Sequence, residues 1–234
     1  MPRFLHAVVI LVAAALPAAS AAAQAYGVPP ELEGVVGRQN IDEAGQQAIR
    51  DYVDPLARDL ASGRPDAISR AREDLLAPLV AADDISVGFR LIYAERLIGT
   101  LTRLIDGNDE IAAIAALRVA GELGTGQSVD LLLGTLDAGS PAIRYAGVQA
   151  LGATLRLIAE GNPALQADRA TGIIAAIADL IAAEPDAFVV DAGVRALGAT
   201  RNDAAMRQAA IEAMAGAMVE QIGMRRGAVG DQSA

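Results

Sequence analysis

Carboxylates are the residues in this chain whose type and spacing come closest to catalytic chemistry. They stand in four adjacent pairs: Asp42 and Glu43, Glu73 and Asp74, Asp83 and Asp84, Asp109 and Glu110. A glycoside hydrolase needs two carboxylates across a pocket, whereas adjacent residues of a helix do not face each other. Acidic residues at helix starts also accept backbone N–H groups. We interpret the pairs as helix caps and solvated charges, with a carboxylate-only hydrolase as the alternative.

Other catalytic groups are nearly absent from the sequence. There is no cysteine and no lysine, and the one histidine, His6, lies in the N-terminal segment that we predict to be removed as a signal peptide. These absences exclude thiolates, Schiff-base lysines, histidine triads and a P-loop lysine. The stretch "DGNDE" at 106–110 places oxygen ligands near a glycine, but it lacks the spacing and terminal glutamate of a calcium loop. We expect a turn there, and we expect no catalytic residue, no cofactor and no metal.

Residues 1–25 have the pattern of a signal peptide. An apolar run follows Arg3 and ends near Pro17, and "AQA" at 23–25 offers the small residues that signal peptidase requires. The alternative is an uncleaved anchor, although the run is short for a bilayer. We predict cleavage before Tyr26 and export to the periplasm or the extracellular medium. No later segment is long and apolar enough to span a membrane.

The composition favours closely packed helices and argues against nucleic-acid binding. Hydrophobic residues make up 53% of the chain, aromatic residues only 3%, and alanine and leucine dominate. The net charge of −10 repels phosphate backbones, so general nucleic-acid binding is not expected. Without cysteine, the fold must be held by packing alone.

A repeated nonapeptide sets the fold class. "AGVQALGAT" at 146–154 returns 46 residues later as "AGVRALGAT" at 192–200. On a helix, the apolar and small letters of this pattern share one face. Glycine inside a helix costs roughly 1 kcal/mol relative to alanine. The equivalent glycines Gly147 and Gly193 therefore predict that neighbouring helices pack closely against them.

The same register marks three helix starts. Asp109, Ser140 and Asp186 occupy equivalent positions and are all residue types that cap helices. A second helix precedes each start, at 86–105, 128–137 and 169–184. Further helices are predicted at 41–61, 66–82 and 202–222. Helical pairs that recur at this spacing bury their apolar faces by stacking into an α-solenoid.

The stretch "SPAIRYAGVQALGATL" at 140–155 resembles HEAT repeats, including the short HEAT-like repeats named after phycobilisome lyases. The resemblance implies an all-α solenoid of stacked antiparallel helix pairs over 41–224, clearest over 86–200. It also implies that Arg144 takes part in an inter-repeat ladder, although Ala113 and Val190 stand at the equivalent positions. It concerns architecture and implies no activity. The flanking segments are predicted to be a linker at 26–40 and a disordered tail at 225–234.

A stripe of non-core residues recurs on the repeated helices and is the candidate binding surface. Its members are Arg118, Glu122, Tyr145, Gln149, Asp191 and Arg195. Stacking would align them in one row, and tyrosine and arginine are favoured at protein interfaces. The alternative is a solvated face with Arg–Asp pairs between neighbours. The sequence thus predicts an exported, non-enzymatic scaffold that binds another protein, or else a structural accessory subunit of an envelope complex.

Overall fold

The computed structural model describes residues 27–82, 84–161, 164–165 and 167–231, and it is all-helical in these residues. The helices are α1 (Glu43–Leu60), α2 (Pro65–Val80), α3 (Val87–Ile105), α4 (Glu110–Leu123), α5 (Gly126–Leu133), α6 (Pro141–Ala159), α7 (Ala167–Ala183), α8 (Ala187–Gly198) and α9 (Ala204–Asp231). A short 3-10 helix, Ala199–Asn202, joins α8 to α9. The predicted signal peptide, 1–25, lies outside the described residues, within which no helix has the length and hydropathy to cross a bilayer.

Local sequence signals explain where the repeated helices begin. Asp109 caps α4 by accepting backbone N–H groups at 3.1 Å, and Asp186 caps α8 in the same way at 2.8 and 3.2 Å. Ser140 is the N-cap residue of α6, with Pro141 in the first turn. All three predicted starts are confirmed. The hydroxyl of Ser140 donates to Glu110 at the start of α4 instead of capping its own helix.

The helices contact one another in two rows. In the even row, α2 contacts α4, α4 contacts α6 and α6 contacts α8. In the odd row, α1 contacts α3, α3 contacts α5 and α7 contacts α9, whereas α5 and α7 make no comparable contact in the described residues. Helices α1, α3, α5 and α7 each also contact the even helix that follows them, and one hydrophobic core contains residues from Leu32 to Ala217.

Glycines bring the even row close together, because they allow one helix backbone to touch the next. A Cβ at Gly121 would lie 2.9 Å from the Cα of Ala150, and a Cβ at Gly152 would lie 3.0 Å from the Cα of Ala196. Gly147 and Gly193 face the preceding helix-and-turn segments, as predicted. A Cβ at Gly193 would lie 2.7 Å from a side-chain carbon of Ile181 in α7.

The segment at 26–40, which the sequence predicts to be a linker, is instead packed against the rest of the protein in its described part, 27–40. From residue 29 the chain forms turns that bury Leu32 completely and Val36 to 3% exposure. The N–H of Ser86 donates to the carbonyl of Val36 at 3.0 Å, which ties this segment to the start of α3. The segment is therefore part of the hydrophobic core and is held against the start of α3.

The C-terminal end also differs from the sequence prediction. Helix α9 was expected to end near residue 222, and residues 225–234 were expected to form a disordered tail. The helix instead continues to Asp231, and the last three residues lie outside the described part of the chain. The three glycines after residue 222 weaken the helical signal in the sequence, yet they do not end the helix.

Candidate functional site

The even row carries the predicted stripe. Arg118 and Glu122 lie on α4, Tyr145 and Gln149 on α6, and Asp191 and Arg195 on α8. The side chains of Arg118, Gln149, Asp191 and Arg195 are exposed, whereas Glu122 and Tyr145 are half-buried. The structure divides this set among three surroundings.

A groove between α6 and α8 holds the centre of the stripe. It has a volume of about 370 Å³ and is lined by Gln149, Arg156 and Arg195 above a floor of small residues. The floor consists of Gly152, Ala153, Ala192, Ala196 and Ala199. Gly152 contacts Ala196 closely, which brings α6 and α8 together at these small residues. The groove combines an apolar base with two guanidinium groups and one amide.

The polar groups of the groove already have partners within their own helices. The amide of Gln149 donates to the hydroxyl of Tyr145 at 2.9 Å. Arg195 pairs with Asp191 one turn earlier in α8, and both side chains are more than half exposed. The alternative prediction placed Arg–Asp pairs between neighbouring helices, whereas this pair lies within one helix. Exposed pairs of this kind contribute about 0.3–0.5 kcal/mol, so a ligand can displace them at little cost.

Arg156 belongs to the groove, and the sequence analysis missed it. It follows Gln149 by seven residues, which places both on the same side of α6. Its Nη2 lies 2.8 Å from an oxygen of Glu122 in α4, and its Nη1 lies 2.9 Å from an oxygen of Glu160. Glu122 therefore joins α4 to α6 and does not continue the row of Gln149 and Arg195.

Arg118 lies in a different groove. It faces α2 across a space of about 320 Å³ that is lined by Arg72, Glu73, Leu76, Ala77 and Val80. Arg118 makes no ion pair with any residue that the structure describes. The predicted stripe is therefore not one continuous site: Gln149 and Arg195 share a groove, and Arg118 is outside it.

Arg144, which the resemblance to HEAT repeats places in an inter-repeat ladder, forms an ion pair with the buried side chain of Glu184. Its Nε and Nη2 contact the two oxygens of Glu184 at 2.7 and 2.8 Å, and its Nη1 donates to the carbonyl of Ala138 at 2.7 Å. The Glu184 side chain is 1% exposed. The hydrogen bonds from Arg144 hold the pKa of Glu184 below its usual value, despite burial. This pair ties α6 to the turn between α7 and α8.

A second buried arginine was also missed by the sequence analysis. Arg90 of α3 is 6% exposed and donates to the carbonyls of Glu122 and Leu123 at 2.9 and 3.2 Å. Burial lowers the pKa of Arg90. Because the last carbonyls of a helix have no partners within it, Arg90 completes the end of α4. Its position in the sequence, four residues into a predicted helix, gives no sign of this role.

Several carboxylates of the adjacent pairs have structural partners in the described residues. Asp42 accepts the N–H of Gly45 at 2.9 Å and caps α1, as Asp109 caps α4. Glu73 pairs with Arg72 at 2.9 Å. Asp83 lies outside the described residues. Within the described ranges, no group of three or more histidine, cysteine or acidic side chains is arranged to hold a metal ion.

Comparison of the chain with protein-family models, with curated proteins and with solved structures gives no match.

Proposed function

We propose that this protein is an exported, non-enzymatic scaffold that binds another protein through the groove between α6 and α8. The observation that carries the proposal is the meeting of Gln149, Arg156 and Arg195 from two helices around one apolar floor. Arginine offers a planar fork that suits carboxylates. The expected partner is therefore a protein segment with a carboxylate side chain and a small apolar contact, despite the negative charge of the whole chain.

The proposal includes an α-solenoid of HEAT-like units. Two features of the packing support it: consecutive contacts along the even row, and glycines at equivalent positions that touch the next helix at Ala150 and Ala196. Such arrays present extended surfaces for protein binding. Export rests on residues 1–25, and intact-mass measurement of protein recovered from the periplasm or medium tests it. The mass should correspond to a chain that begins at Tyr26, and a membrane-bound form that begins at Met1 or Pro2 would contradict export.

The binding experiment uses Arg118, which lies outside the groove between α6 and α8, as the control for Arg195. The wild type, an Arg195→Glu variant and an Arg118→Glu variant are immobilised, and proteins captured from envelope extract are quantified by mass spectrometry. Both substituted arginines are exposed, so circular dichroism should show unchanged folding. Arg195→Glu should lose the captured partner because it removes a cation from the groove, whereas Arg118→Glu should retain it.

Three results would contradict the proposed groove. Capture that survives both Arg195→Glu and Gln149→Glu would show that the groove is not the contact surface. One stoichiometric partner that is retained by every groove variant would instead favour the structural accessory subunit. Loss of capture by Arg118→Glu alone would move the binding surface to the groove between α2 and α4.

A further inference from the structure

Among the described residues, the packing of the helices leaves one position open beside α8 and α9. Helix α4 packs against α2 and α3, α6 packs against α4 and α5, and α8 packs against α6 and α7. Each even helix thus lies in the angle between the preceding even helix and the preceding odd helix. The next such angle lies between α8 and α9. Within the described residues, no helix occupies that angle.

A glycine marks this position in the sequence. Gly121, Gly152 and Gly198 are equivalent residues of the repeated pattern. The first two contact the backbone of the next even helix at Ala150 and Ala196, whereas a Cβ at Gly198 would meet nothing within 4 Å. Gly121 and Gly152 therefore each bring the next even helix into contact, whereas no described helix packs against the equivalent Gly198.

The surface around Gly198 is an apolar groove between α8 and α9. Its volume is about 290 Å³, and its apolar lining comes from Val194 and Leu197 of α8 together with Ala210, Ile211 and Met214 of α9. Ile211 is 50% exposed. Farther along α9, Met218 and Ile222 are also exposed, at 37% and 50%. Such a continuous apolar strip on a surface is typical of a protein interaction site.

Two cations stand at the rim of the groove. Arg201 and Arg207 line it and are exposed, and Nη1 of Arg207 donates to the carbonyl of Arg201 at 3.0 Å. Neither guanidinium pairs with a carboxylate among the described residues. The nearby carboxylate of Asp203 accepts the N–H of Met206 as the cap of α9. The rim therefore presents positive charge beside an apolar floor.

We propose that this groove binds a helix of another protein, with alanine or glycine against Gly198 and with carboxylates facing Arg201 and Arg207. We expect a small residue against Gly198 because Ala150 and Ala196 make the equivalent contacts inside the molecule. We expect carboxylates on the bound helix because Arg201 and Arg207 lie at the rim of the groove. A second copy docked through the same surface would bring its own Arg201 and Arg207 into the interface with those of the first copy, and such like charges repel each other. This surface is distinct from the groove between α6 and α8.

The test uses a labelled, hydrocarbon-stapled helical peptide of 15 residues that carries alanines on one face and glutamates beside them. A matched peptide has lysines in place of the glutamates. Binding to the full chain is followed by fluorescence anisotropy. Two variants alter the groove: Gly198→Leu fills the open position, and Arg201→Glu with Arg207→Glu reverses the rim. Gly172→Leu in α7 is the matched control, because a Cβ at Gly172 also meets nothing within 4 Å.

The wild type and Gly172→Leu should bind the glutamate peptide at least tenfold more tightly than the lysine peptide. Gly198→Leu and the double arginine variant should each weaken binding of the glutamate peptide at least tenfold while retaining the helical circular dichroism signal. Equal binding of the two peptides, or unchanged binding to Gly198→Leu, would overturn the proposal. A wild-type oligomer in analytical ultracentrifugation that Gly198→Leu dissociates would also overturn it, because a second copy would then cover the groove.

Discussion

Two arginine–carboxylate pairs on neighbouring even helices have opposite surroundings. Arg144 of α6 and Glu184 beyond α7 are 14% and 1% exposed, whereas Arg195 and Asp191 of α8 are 64% and 57% exposed. The first pair crosses between elements, and the second lies within one helical turn. The comparison shows that neighbouring chain segments decide what an arginine does: a covered arginine fixes a joint, and an uncovered one remains available to a partner.

The largest difference between the two pairs should appear when an arginine is removed. Arg144→Ala leaves the buried carboxylate of Glu184 without its cation, and a broken buried pair typically costs about 3–5 kcal/mol. Urea denaturation followed by circular dichroism measures this loss. The same substitution at Arg195 serves as the control. Equal denaturation midpoints for the two variants would show that the Arg144 pair is not a structural joint.

Substitution of Gly147, which lies in α6 close to Arg144, should change the free energy of unfolding by an intermediate amount. A Cβ at Gly147 would lie 2.1 Å from Oγ1 of Thr135, so Gly147→Leu should overpack this contact and cost roughly 1–3 kcal/mol. Gln149→Ala, two residues later on the exposed side of α6, should change stability by less than about 0.5 kcal/mol. Thermal or urea unfolding of both variants checks the assignment of helix faces, and a Gly147→Leu variant as stable as the wild type would contradict it.

Acidification should affect the buried pair selectively. The pKa of Glu184 in the folded protein is lowered by Arg144 and by the N–H of Asp186. Its stabilising contribution is therefore complete above the usual glutamate pKa of about 4.3 and is lost as the pH falls through the lower folded-state pKa. The stability advantage of the wild type over Glu184→Gln should shrink below about pH 4. An advantage that is constant from pH 6 to pH 3 would contradict this linkage.

The smallest effect is expected at the exposed pair. Arg195→Ala removes a solvated contact within one helix, so the free energy of unfolding should change by less than about 0.5 kcal/mol. Added salt should reduce even this difference, because exposed charges are screened. Denaturation at low and high ionic strength measures both. A loss above 1 kcal/mol would mean that Arg195 contributes to the fold and is not simply available for binding.

The sequence predicts the helical class and the repeated starts well, because these depend on local chemistry. Cap residues at Asp109 and Asp186, and glycines such as Gly147, carry their structural meaning within a few residues. The burial of Leu32 and Val36 could not be predicted in this way, because it depends on contact with α3 about fifty residues later. Local signals describe an element, but they do not show which distant segment covers it.

The candidate site was only partly predictable for a related reason. Equivalent positions in the repeats identified Gln149 and Arg195, which do share a groove. Arg156 has Thr125 and Asn202 at its equivalent positions, so comparison of repeats could not find it. Arg118 has the expected equivalents but faces α2, where Arg72 and Glu73 form the other side of its groove. The repeat shows which residues occupy equivalent positions. The residues that surround each position are not repeated, and they determine which groove it belongs to.

Helix α5 is the shortest α-helix in the part of the chain that the structure describes. It has eight residues, whereas the helices on either side of it have 14 and 19. An exposed ion pair between Asp130 and Arg169 connects it to α7. On the opposite side, α4, α6 and α8 are joined by backbone contacts at glycine. We therefore expect the row of α4, α6 and α8 to be the stiffer side of the molecule, and we expect bending to occur at α5, where it would leave the glycine contacts closed.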